Sequence, residues 1–412
     1  MSANTLTAIL PKQMTGVVER FRKALVMPLL ASKDFRPLLA QKWQALTIKL
    51  PSATTTQDVA PSNVSPNAAG RTPATMQFPL SIWRQSTPFN LQDDEGQFVD
   101  GGSFINDELG AGVDALSQYF NEKAWDEYHR TYGIFGVNWA DGTVPNDPFT
   151  SHTTPSIFSA EDWGPQVAKL LDEQLAPEEG RFLVMSHQAK AKALTNGFLR
   201  DVDKTGESFG IVKGMLGEKF GLEMIADHDV PTHTAGTISD GAVAFTVSAA
   251  SAGATTIELT SAGATKVIQF GDIIKIAGDE QTYVCLSGTK ADPFSDPPVA
   301  ASGTSITSGG VSVTISPPLQ VATSGGETIE VARSHKVNLG FTRHWEAVAM
   351  RLLNPETTGG DLQIPVVDEK TGLVMRLNRI RQYMQTMWTA DIFGGVQYYR
   401  TNCAVRMAGK IA

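Results

Sequence analysis

The best cluster of residues that could hold a metal or move a proton is His228, Asp229 and His233, in the stretch HDVPTH. Imidazoles and carboxylates are common zinc ligands, but this spacing matches no standard zinc pattern. Pro231 lies within the stretch and favours an extended connection. We therefore predict ordinary loop residues at a domain junction, and no metal site.

The other candidate groups lack the partners that catalysis requires. The chain has no G-x-S-x-G elbow, P-loop, G-x-G-x-x-G loop or H-E-x-x-H helix. His152 and His187 have no evident acid or nucleophile beside them. His335 and His344 flank a predicted strand and are expected at the polar surface. The acidic run at 93–95 lacks the ligand periodicity of a calcium loop, so a solvated loop is expected. We predict no catalytic residue, no metal and no cofactor, and therefore not an enzyme.

The composition is that of a folded protein with more than one compact unit. The chain has 412 residues, of which 42% are hydrophobic and 19% charged, with a net charge of −9. This length predicts two or three units. The low charged share indicates surface that is buried against neighbours, and the negative charge argues against a protein whose whole surface binds nucleic acid. Cys285 and Cys403 indicate neither a disulfide framework nor a zinc site.

The sequence contains no apolar run long enough to span a membrane and no signal-peptide pattern at its N-terminus. We expect a protein made in a reducing cytoplasm.

The first fifty residues are basic although the whole chain is acidic. Residues 1–50 carry eight Lys or Arg and two acidic residues, a net charge of +6. Apolar residues at helical spacing predict an amphipathic helix over 11–30, which Pro28 interrupts. Such a segment can contact a polyanion or an acidic partner. The alternative is that these charges form an ordinary solvated helix face with no partner.

A long polar excursion separates two predicted strands. Residues 43–50 and 75–84 have strand character, whereas 51–74 consist mainly of Pro, Ser, Thr, Asn and Ala. A loop of this length without a core of its own is usually disordered or ordered by a partner. We predict a hairpin-like loop, with Trp43 and Trp83 packed at its base or against a neighbour.

The strongest helix signal covers residues 103–130. Apolar residues follow in steps of three and four from Ile105 to Tyr128, and Ser103 can cap the first turn. Helix and strand signals then alternate over 159–226 and predict an α/β unit. In that region Ser159 and Asp162 resemble a capping box, and strands are predicted at 181–185 and 222–226.

A β-rich region follows. Residues 235–333 are rich in Gly, Ser, Thr and Ala, and four basic residues oppose nine acidic ones, a net charge of −5. The predicted strands are Ile257–Leu259, Lys266–Phe270, Ile273–Ile276, Thr282–Leu286, Val311–Ile315 and Thr328–Val331. The pattern predicts a small all-β domain.

From residue 334 the mixed pattern resumes. We predict a strand at 337–341, a helix at 344–353, and two strands at 362–367 and 373–380 joined as a hairpin. The β-rich region therefore splits an α/β unit, and this order predicts an inserted domain.

Three stretches carry a resemblance to a known family. They are LGEKFGLEMIADHDVPTHTAGT at 216–237, TTIELTSAGATKVIQFGDIIKIAG at 255–278 and HKVNLGFTRHWEAVAMRLL at 335–353. With the order of elements, they resemble the Hong Kong 97-type major capsid fold of tailed bacteriophages. The likeness is to the branch whose coat protein has an inserted β-barrel, as in the short-tailed Salmonella phage. It spans essentially the whole chain and implies an α+β fold.

The resemblance also implies a division of the chain and a set of contacts. The divisions are an N-terminal arm at 1–42, an extended loop with flanking strands at 43–100, a peripheral domain at 101–234 with spine helix 103–130, an inserted β-barrel at 235–335, and an axial domain with returning peripheral strands at 336–412. Candidate inter-subunit or interior contacts are Lys12, Arg20, Arg22, Lys23, Trp43, Arg71 and Trp83.

The implied function is self-assembly as pentamers and hexamers into an icosahedral head that encloses double-stranded DNA. The implied partners are other copies of the chain, a scaffolding protein, a portal, DNA bound non-specifically and an optional decoration protein, with no membrane. The implied location is the virion, after assembly in the cytoplasm of a bacterial host. Two alternatives stay open: an encapsulin-like nanocompartment shell of the same fold, and a sugar-binding adhesion protein that uses the β-domain.

Overall fold

A computed structural model describes residues 25–33, 46–50, 74–78, 80, 82–93, 101–151, 159–201, 213–241, 244–263, 265–290, 292, 299–351, 362–367 and 374–411. Within these ranges the protein is a mixed α+β structure with a small closed β-barrel, as the sequence predicts. The helices are α1 Met27–Leu30, α2 Gly101–Trp125, α3 Trp163–Glu173, α4 His187–Thr195 and α5 Gly197–Arg200, with 3-10 helices at Asp126–Arg130, Thr237–Asp240 and Thr401–Cys403.

The strands are β1 Leu46–Leu50, β2 Ala74–Phe78, β3 Ile82–Gln85, β4 Phe89–Gln92, β5 Gly133–Phe135, β6 Arg181–Ser186, β7 Glu218–Lys219, β8 Leu222–Asp227, β9 Thr232–His233, β10 Phe245–Val247, β11 Thr256–Ser261, β12 Lys266–Ile268, β13 Ile273–Ile276, β14 Thr282–Cys285, β15 Thr304–Ile306, β16 Val311–Ser316, β17 Glu327–Val331, β18 His335–Thr342, β19 Glu346–Met350, β20 Leu362–Val367, β21 Val374–Gln382, β22 Gln385–Tyr398 and β23 Ala404–Gly409.

The described residues form two compact units. The first unit contains those within 33–117 and 347–397, and the second unit contains those within 25–32, 118–346 and 398–411. Each unit has its own sheet, so each is described by itself.

The first unit is built on a six-stranded sheet in the order β19-β22-β21-β20, with β3 and β4 also paired to β22. β20 and β21 are antiparallel, which confirms the predicted hairpin. β1 and β2 form a separate antiparallel pair with Leu46 opposite Phe78 and Leu50 opposite Ala74. This pairing confirms that two strands flank the polar excursion, whose residues 51–73 lie outside the described part of the chain.

The predicted helix at 344–353 is wrong, because β19 occupies Glu346–Met350 instead. All five side chains of this strand are buried, and it lies beside β22 in the sheet. Burial on both faces removes the polar stripe that a surface helix would need. Sheet pairing therefore overrides the local helical signal.

The second unit is built on a mixed sheet in the order β5-β23-β18-β6-β8-β7, with β9 also paired to β18. The predicted strands at 181–185, 222–226 and 337–341 correspond to β6, β8 and β18 and are confirmed. Helix α3 packs on the sheet through Trp163, Val167 and Leu171, which are buried. Gly340 in β18 permits this close packing, because a Cβ atom there would collide with Val167.

The predicted spine helix at 103–130 is present with different bounds. Helix α2 begins at Gly101, so Ser103 lies inside it and is not the cap, and after Trp125 the chain tightens into the 3-10 helix Asp126–Arg130. The α-helical part has 25 residues and a length of about 37 Å. The predicted apolar stripe is confirmed by the buried residues Leu109, Val113, Leu116, Phe120, Ala124 and Tyr128.

The β-rich region folds as a closed barrel in the order β10-β11-β16-β14-β13-β17, with β12 and β15 as an added pair. All six predicted strands are present, and the sequence missed the three-residue strands β10 and β15. The barrel has its own hydrophobic core, which includes Phe245, Leu259, Ile276, Tyr283 and Val313.

The predicted helix over 11–30 lies mostly outside the described residues. In the part that is described, Pro28 does not interrupt a helix. It lies in the first turn of α1, where its missing N–H has no intrahelical partner to lose. Cys285 and Cys403 are buried free thiols. Across the described ranges, the helices are all too short or too polar to cross a membrane.

Candidate functional site

A cluster of buried polar side chains lies in the second unit, where the barrel joins the sheet. We name it the junction cluster and define it as Tyr128, His129, His233, Asp272, His335 and Arg406. Five segments that are distant in sequence bring these residues together: the 3-10 helix after α2, β9, the turn between β12 and β13, β18, and β23. His129 is partly exposed to solvent, and the other five are buried.

His233 and Asp272 form the centre of the junction cluster. His233 Nε2 lies 2.9 Å from Asp272 Oδ1, and Tyr128 Oη lies 3.4 Å from His233 Nδ1. The Tyr128 hydroxyl can donate only to an unprotonated Nδ1, so the proton of His233 belongs on Nε2, facing the carboxylate. The backbone N–H groups of Gln269 and Gly236 donate to the other side of the carboxylate at 2.7 and 3.1 Å.

Burial decides the charge state of the junction cluster. It raises the pKa of Asp272 to about 7, although backbone N–H groups and Arg406 act in the opposite direction. It lowers the pKa of His233 well below the ordinary value and that of His129 to about 3. It also lowers the pKa of Arg406 to about 10. The imidazoles are therefore neutral, because the low-dielectric interior disfavours each added charge.

His335 corrects a prediction, since the sequence indicated a polar surface residue. It is fully buried in β18, its Nδ1–H donates to the Arg333 carbonyl at 2.7 Å, and its ring lies 5.3 Å from that of His233. The strand lies inside the sheet, paired with β9 on this side, and this leaves no solvent face for the imidazole. Likewise His233, predicted to be an ordinary loop residue, belongs to a strand and is 2% exposed.

The junction cluster has the partners of a proton relay but no activated nucleophile. Burial raises the pKa of Tyr128, so its hydroxyl stays protonated. A cavity of about 330 Å³ lies beside the cluster and is lined by Tyr128, His129, His233 and Phe270 among others. Within the described residues, no three His, Cys, Asp or Glu side chains are placed to hold a metal ion. The geometry instead suits a structural role, in which His233 and Asp272 fasten the barrel to the sheet.

A second polar network lies on helix α2, one turn before the helix changes to 3-10. The Asn121 side chain is fully buried. Its Oδ1 accepts the Met27 N–H at 3.0 Å, and its Nδ2 donates to Asp227 at 2.9 Å and to Asp229 at 2.8 Å. Trp125 Nε1 also donates to Asp227, at 2.7 Å. Asn121 therefore ties the start of α1 to the end of β8.

Most of the predicted contact residues lie outside the described part of the chain. These are Lys12, Arg20, Arg22, Lys23, Trp43 and Arg71. Trp83 is described: it lies in β3 and is 45% exposed, with its ring edge-on to Phe393 at a centroid distance of 6.3 Å. Asp93 of the predicted solvated acidic run forms a salt bridge with Arg381.

The sequence did not reveal an apolar surface at the turn between β21 and β22. Tyr383 is 91% exposed and Met384 is 61% exposed, and Met384 has a φ of +53°. Gln382 and Gln385 pair opposite each other beneath the turn. A left-handed Met in an exposed turn is uncommon, and the two adjacent side chains expose apolar surface to solvent. We name Tyr383 and Met384 the hairpin tip.

No protein-family model and no curated protein matches the chain. Among solved structures, the chain is similar to one described as Mycobacterium phage Che8, with a TM-score of 0.49, 10% identity, and 93% of this chain and 90% of that chain covered. It is also similar to the capsid structure of the cyanophage P-SCSP1u, with a TM-score of 0.46, 10% identity, and 93% and 87% covered. A third is the mature capsid of bacteriophage PhiM1, with a TM-score of 0.43, 10% identity, and 94% and 88% covered.

Proposed function

We propose that this chain is the major capsid protein of a tailed bacteriophage, with the Hong Kong 97-type fold. The observation that carries the proposal is the order of its elements. A strand pair flanks a long polar excursion, a helix of 25 residues follows, and a mixed sheet is then interrupted by a closed barrel between β9 and β18. These elements are part of the order from which the family resemblance was inferred.

In this proposal the copies assemble as pentamers and hexamers into an icosahedral head around double-stranded DNA. The second unit serves as the peripheral domain with its inserted barrel, and the sheet of the first unit serves as the axial domain. The excursion at 51–73 and the basic arm at 1–42 contact neighbours. Closed symmetry repeats each contact many times, so individually weak contacts suffice to hold a shell.

The hairpin tip supports a role in self-assembly. Two large exposed side chains at the turn between β21 and β22 are stabilised when a neighbouring copy covers them, because their apolar surface is removed from water. Trp83 adds an aromatic surface on another strand of the same sheet. We propose that other copies of this chain cover these residues in the shell.

Electron microscopy tests the proposal directly. The full chain, expressed alone and together with a scaffolding protein from the same genome, is expected to form closed particles of uniform diameter. A protein that stays a soluble monomer in both preparations would overturn the proposal. Particles that contain an enzyme and no DNA after expression in the native host would favour the nanocompartment alternative.

The basic arm gives a second test. We propose that Arg20, Arg22 and Lys23 meet first a scaffolding protein and then DNA, because residues 1–50 have a net charge of +6 in an acidic chain. Replacing all three with Glu is expected to reduce particle yield or DNA content. Particles of normal yield and DNA content from that variant would overturn the role of the arm.

A further inference from the structure

The cavity of about 330 Å³ beside the junction cluster has walls that are largely aromatic, and we name it the junction cavity. Three of its lining residues, Trp125, Tyr128 and His233, are buried in the second unit. Phe270 and Pro231 extend the apolar wall. None of the residues proposed for self-assembly lines this cavity, so its walls have no role in the proposed function.

Ion pairs between the barrel and helix α2 fix the shape of the junction cavity. The barrel segment that contains Lys290 forms one wall, and Lys290 Nζ lies 2.7 Å from Asp126 Oδ2 on the opposite side. A second pair joins Lys123 of α2 to Asp292 of the barrel at 2.6 Å. A ligand therefore meets a cavity that is already formed, as is usual for small-molecule sites.

Four charged side chains line the junction cavity: Glu122, Asp126, Asp229 and Lys290. Lys290 is paired with Asp126, which leaves two carboxylates. Glu122 accepts the Gln118 amide at 3.0 Å and Asp229 accepts the Asn121 amide at 2.8 Å, but a neutral amide does not cancel a charge. Neither carboxylate forms a salt bridge within the described residues. Burial and the charge of Asp229 both raise the pKa of Glu122, so a cation at this wall would relieve an existing repulsion.

The uncharged polar groups of the junction cavity include two further acceptors. His129 Nδ1–H donates to the Asp126 carbonyl at 2.8 Å, and burial lowers the pKa of His129 to about 3. Its Nε2 is therefore an unprotonated acceptor. Gln269 Oε1 is buried and accepts no hydrogen bond from the described residues. A buried acceptor without a donor is costly, so these groups favour a ligand that donates hydrogen bonds.

The aromatic wall favours an organic cation over a metal ion. The Phe270 ring lies 5.9 Å from the His129 ring, and Arg130 Cζ lies 5.5 Å from the Phe270 centroid. This ring therefore already attracts one guanidinium group. Aromatic faces attract ammonium and guanidinium groups, whereas calcium and magnesium ions take a shell of oxygen ligands. A cation with an apolar carbon body fits both the carboxylates and the rings.

We propose that the junction cavity binds an organic cation, namely a primary ammonium or guanidinium group on a short alkyl chain. The cationic group meets Glu122 and Asp229, and the alkyl chain lies against the aromatic wall. Two sources have this chemistry: a free diamine, and a Lys or Arg side chain from the basic arm of another copy. The second source rests on the proposed function, in which the arm contacts neighbouring copies, and the first does not.

Isothermal titration calorimetry on the purified full chain tests the proposal. The probes are putrescine, which is a linear diamine, its uncharged analogue butanediol, and a synthetic peptide of residues 11–25, which contains Arg20, Arg22 and Lys23. Putrescine is expected to bind and butanediol is not, because only the diamine carries charge to the carboxylates. The proposal is overturned if neither putrescine nor the peptide binds, or if butanediol binds as tightly as putrescine.

Two variants locate the site. Glu122→Gln is expected to bind putrescine about tenfold more weakly, since one charge-assisted hydrogen bond is lost. The fold is expected to persist, because this change removes a repelling charge and keeps the size of the side chain. Phe270→Leu keeps an apolar side chain without the ring and is expected to bind about fivefold more weakly. Glu178→Gln, which removes an exposed carboxylate outside the cavity, is the control and is expected to bind like the original chain. Equal affinities of all three variants would reject the junction cavity as the site.

The two sources differ in relative affinity. A peptide that binds at least about tenfold more tightly than putrescine assigns the cavity to the arm of another copy, since the arm adds contacts beyond the cationic group. A peptide that binds no more tightly than putrescine assigns it to a free diamine. Particle formation is scored separately by microscopy. Particles from a chain that binds neither probe would reject the cavity and leave the capsid proposal standing, whereas diamine binding by a chain that never assembles would do the reverse.

Discussion

Asn121 shows how one side chain can fix several segments. From a buried position on α2, its side chain accepts from two backbone N–H groups and donates to two carboxylates. A buried polar group that loses its partner bears the full cost of its lost hydration. The main cost of losing Asn121 is therefore that its buried partners are left without a hydrogen bond.

Asn121→Ala is expected to lower the free energy of unfolding by about 2 to 4 kcal/mol, because it leaves the amide of Met27 and the carboxylates of Asp227 and Asp229 short of a partner. Urea unfolding measures the loss. Gln118→Ala, on the exposed face of the same helix, removes a hydrogen bond to Glu122 and is expected to change stability by less than about 0.5 kcal/mol. Equal losses in the two variants would contradict this account.

The junction cluster makes stability depend on pH. An imidazole of the unfolded chain binds a proton near pH 6.5, whereas burial lowers the pKa of His129 to about 3 and those of His233 and His335 well below the ordinary value. As the pH falls below about 6.5, the unfolded chain binds three protons that the folded imidazoles do not bind, so stability is lost. Asp272, with a pKa of about 7, binds one proton in the folded state and offsets part of the loss.

Between pH 6 and 5 the unfolded chain therefore binds about two more protons at these residues than the folded chain does. The free energy of unfolding is expected to fall by about 2 to 3 kcal/mol per pH unit in this range. His129→Gln is expected to reduce this slope by about 1.4 kcal/mol per pH unit, since it removes one of the titrating groups. Urea unfolding at a series of pH values measures both slopes. Tyr128→Phe, which removes a hydroxyl that does not titrate in this range, is the control and is expected to keep the original slope.

At the scale of elements, the hairpin between β21 and β22 presents its tip to solvent while its strands belong to the sheet. Replacing Tyr383 and Met384 with Ser is expected to leave the unfolding temperature of the monomer unchanged, because both side chains are exposed. Particle yield is expected to fall at least tenfold, since each subunit loses the same apolar contact. Tyr383→Phe keeps the apolar surface and is expected to assemble normally. Normal assembly of the double Ser variant would show that the tip is not a contact.

The sequence predicted elements where their signal is local. Alternation of β-branched residues and turn residues located five of the six barrel strands and also β12, and the 3.6-residue spacing located α2. It failed at β19, where burial on both faces produced an apolar run that fits a helix equally well. The ends of α2 at Gly101 and Trp125 were also not predicted, because helix capping and the change to a 3-10 helix depend on neighbouring residues.

The junction cluster could not be predicted from the sequence, because its members are brought together only by the sheet. Tyr128 and Arg406 touch across 278 positions of the chain. His335 looked like a surface residue because nothing local indicates that β18 is an interior strand. The HDVPTH stretch was predicted to be an ordinary loop, whereas its His233 pairs with Asp272, which lies in the turn between β12 and β13.

At the scale of the whole molecule, the barrel is an insertion whose ends meet. His233 and His335 are direct partners in the antiparallel pair of β9 and β18. A two-residue Asn-Gly turn can therefore replace residues 234–334 without stretching the chain. The truncated protein is expected to keep the circular dichroism of its remaining sheet, at lower stability, because Ile273, Val284 and Ala332 no longer cover Tyr132 and Ile134.

The separated barrel, residues 237–332, is expected to unfold cooperatively in urea, because its core is formed by its own strands. A slope of about 1 kcal/mol per molar urea is expected for a domain of this size. A gradual transition would show that the barrel depends on the rest of the chain.

The sheet of the second unit can be completed only late in synthesis, because it needs β23. This strand covers residues 404–409, yet it lies inside the sheet of the second unit, between β5 and β18. During translation, β5 and β18 emerge from the ribosome long before the strand that must join them. Their edges stay open until synthesis has passed residue 409, and open edges invite aggregation.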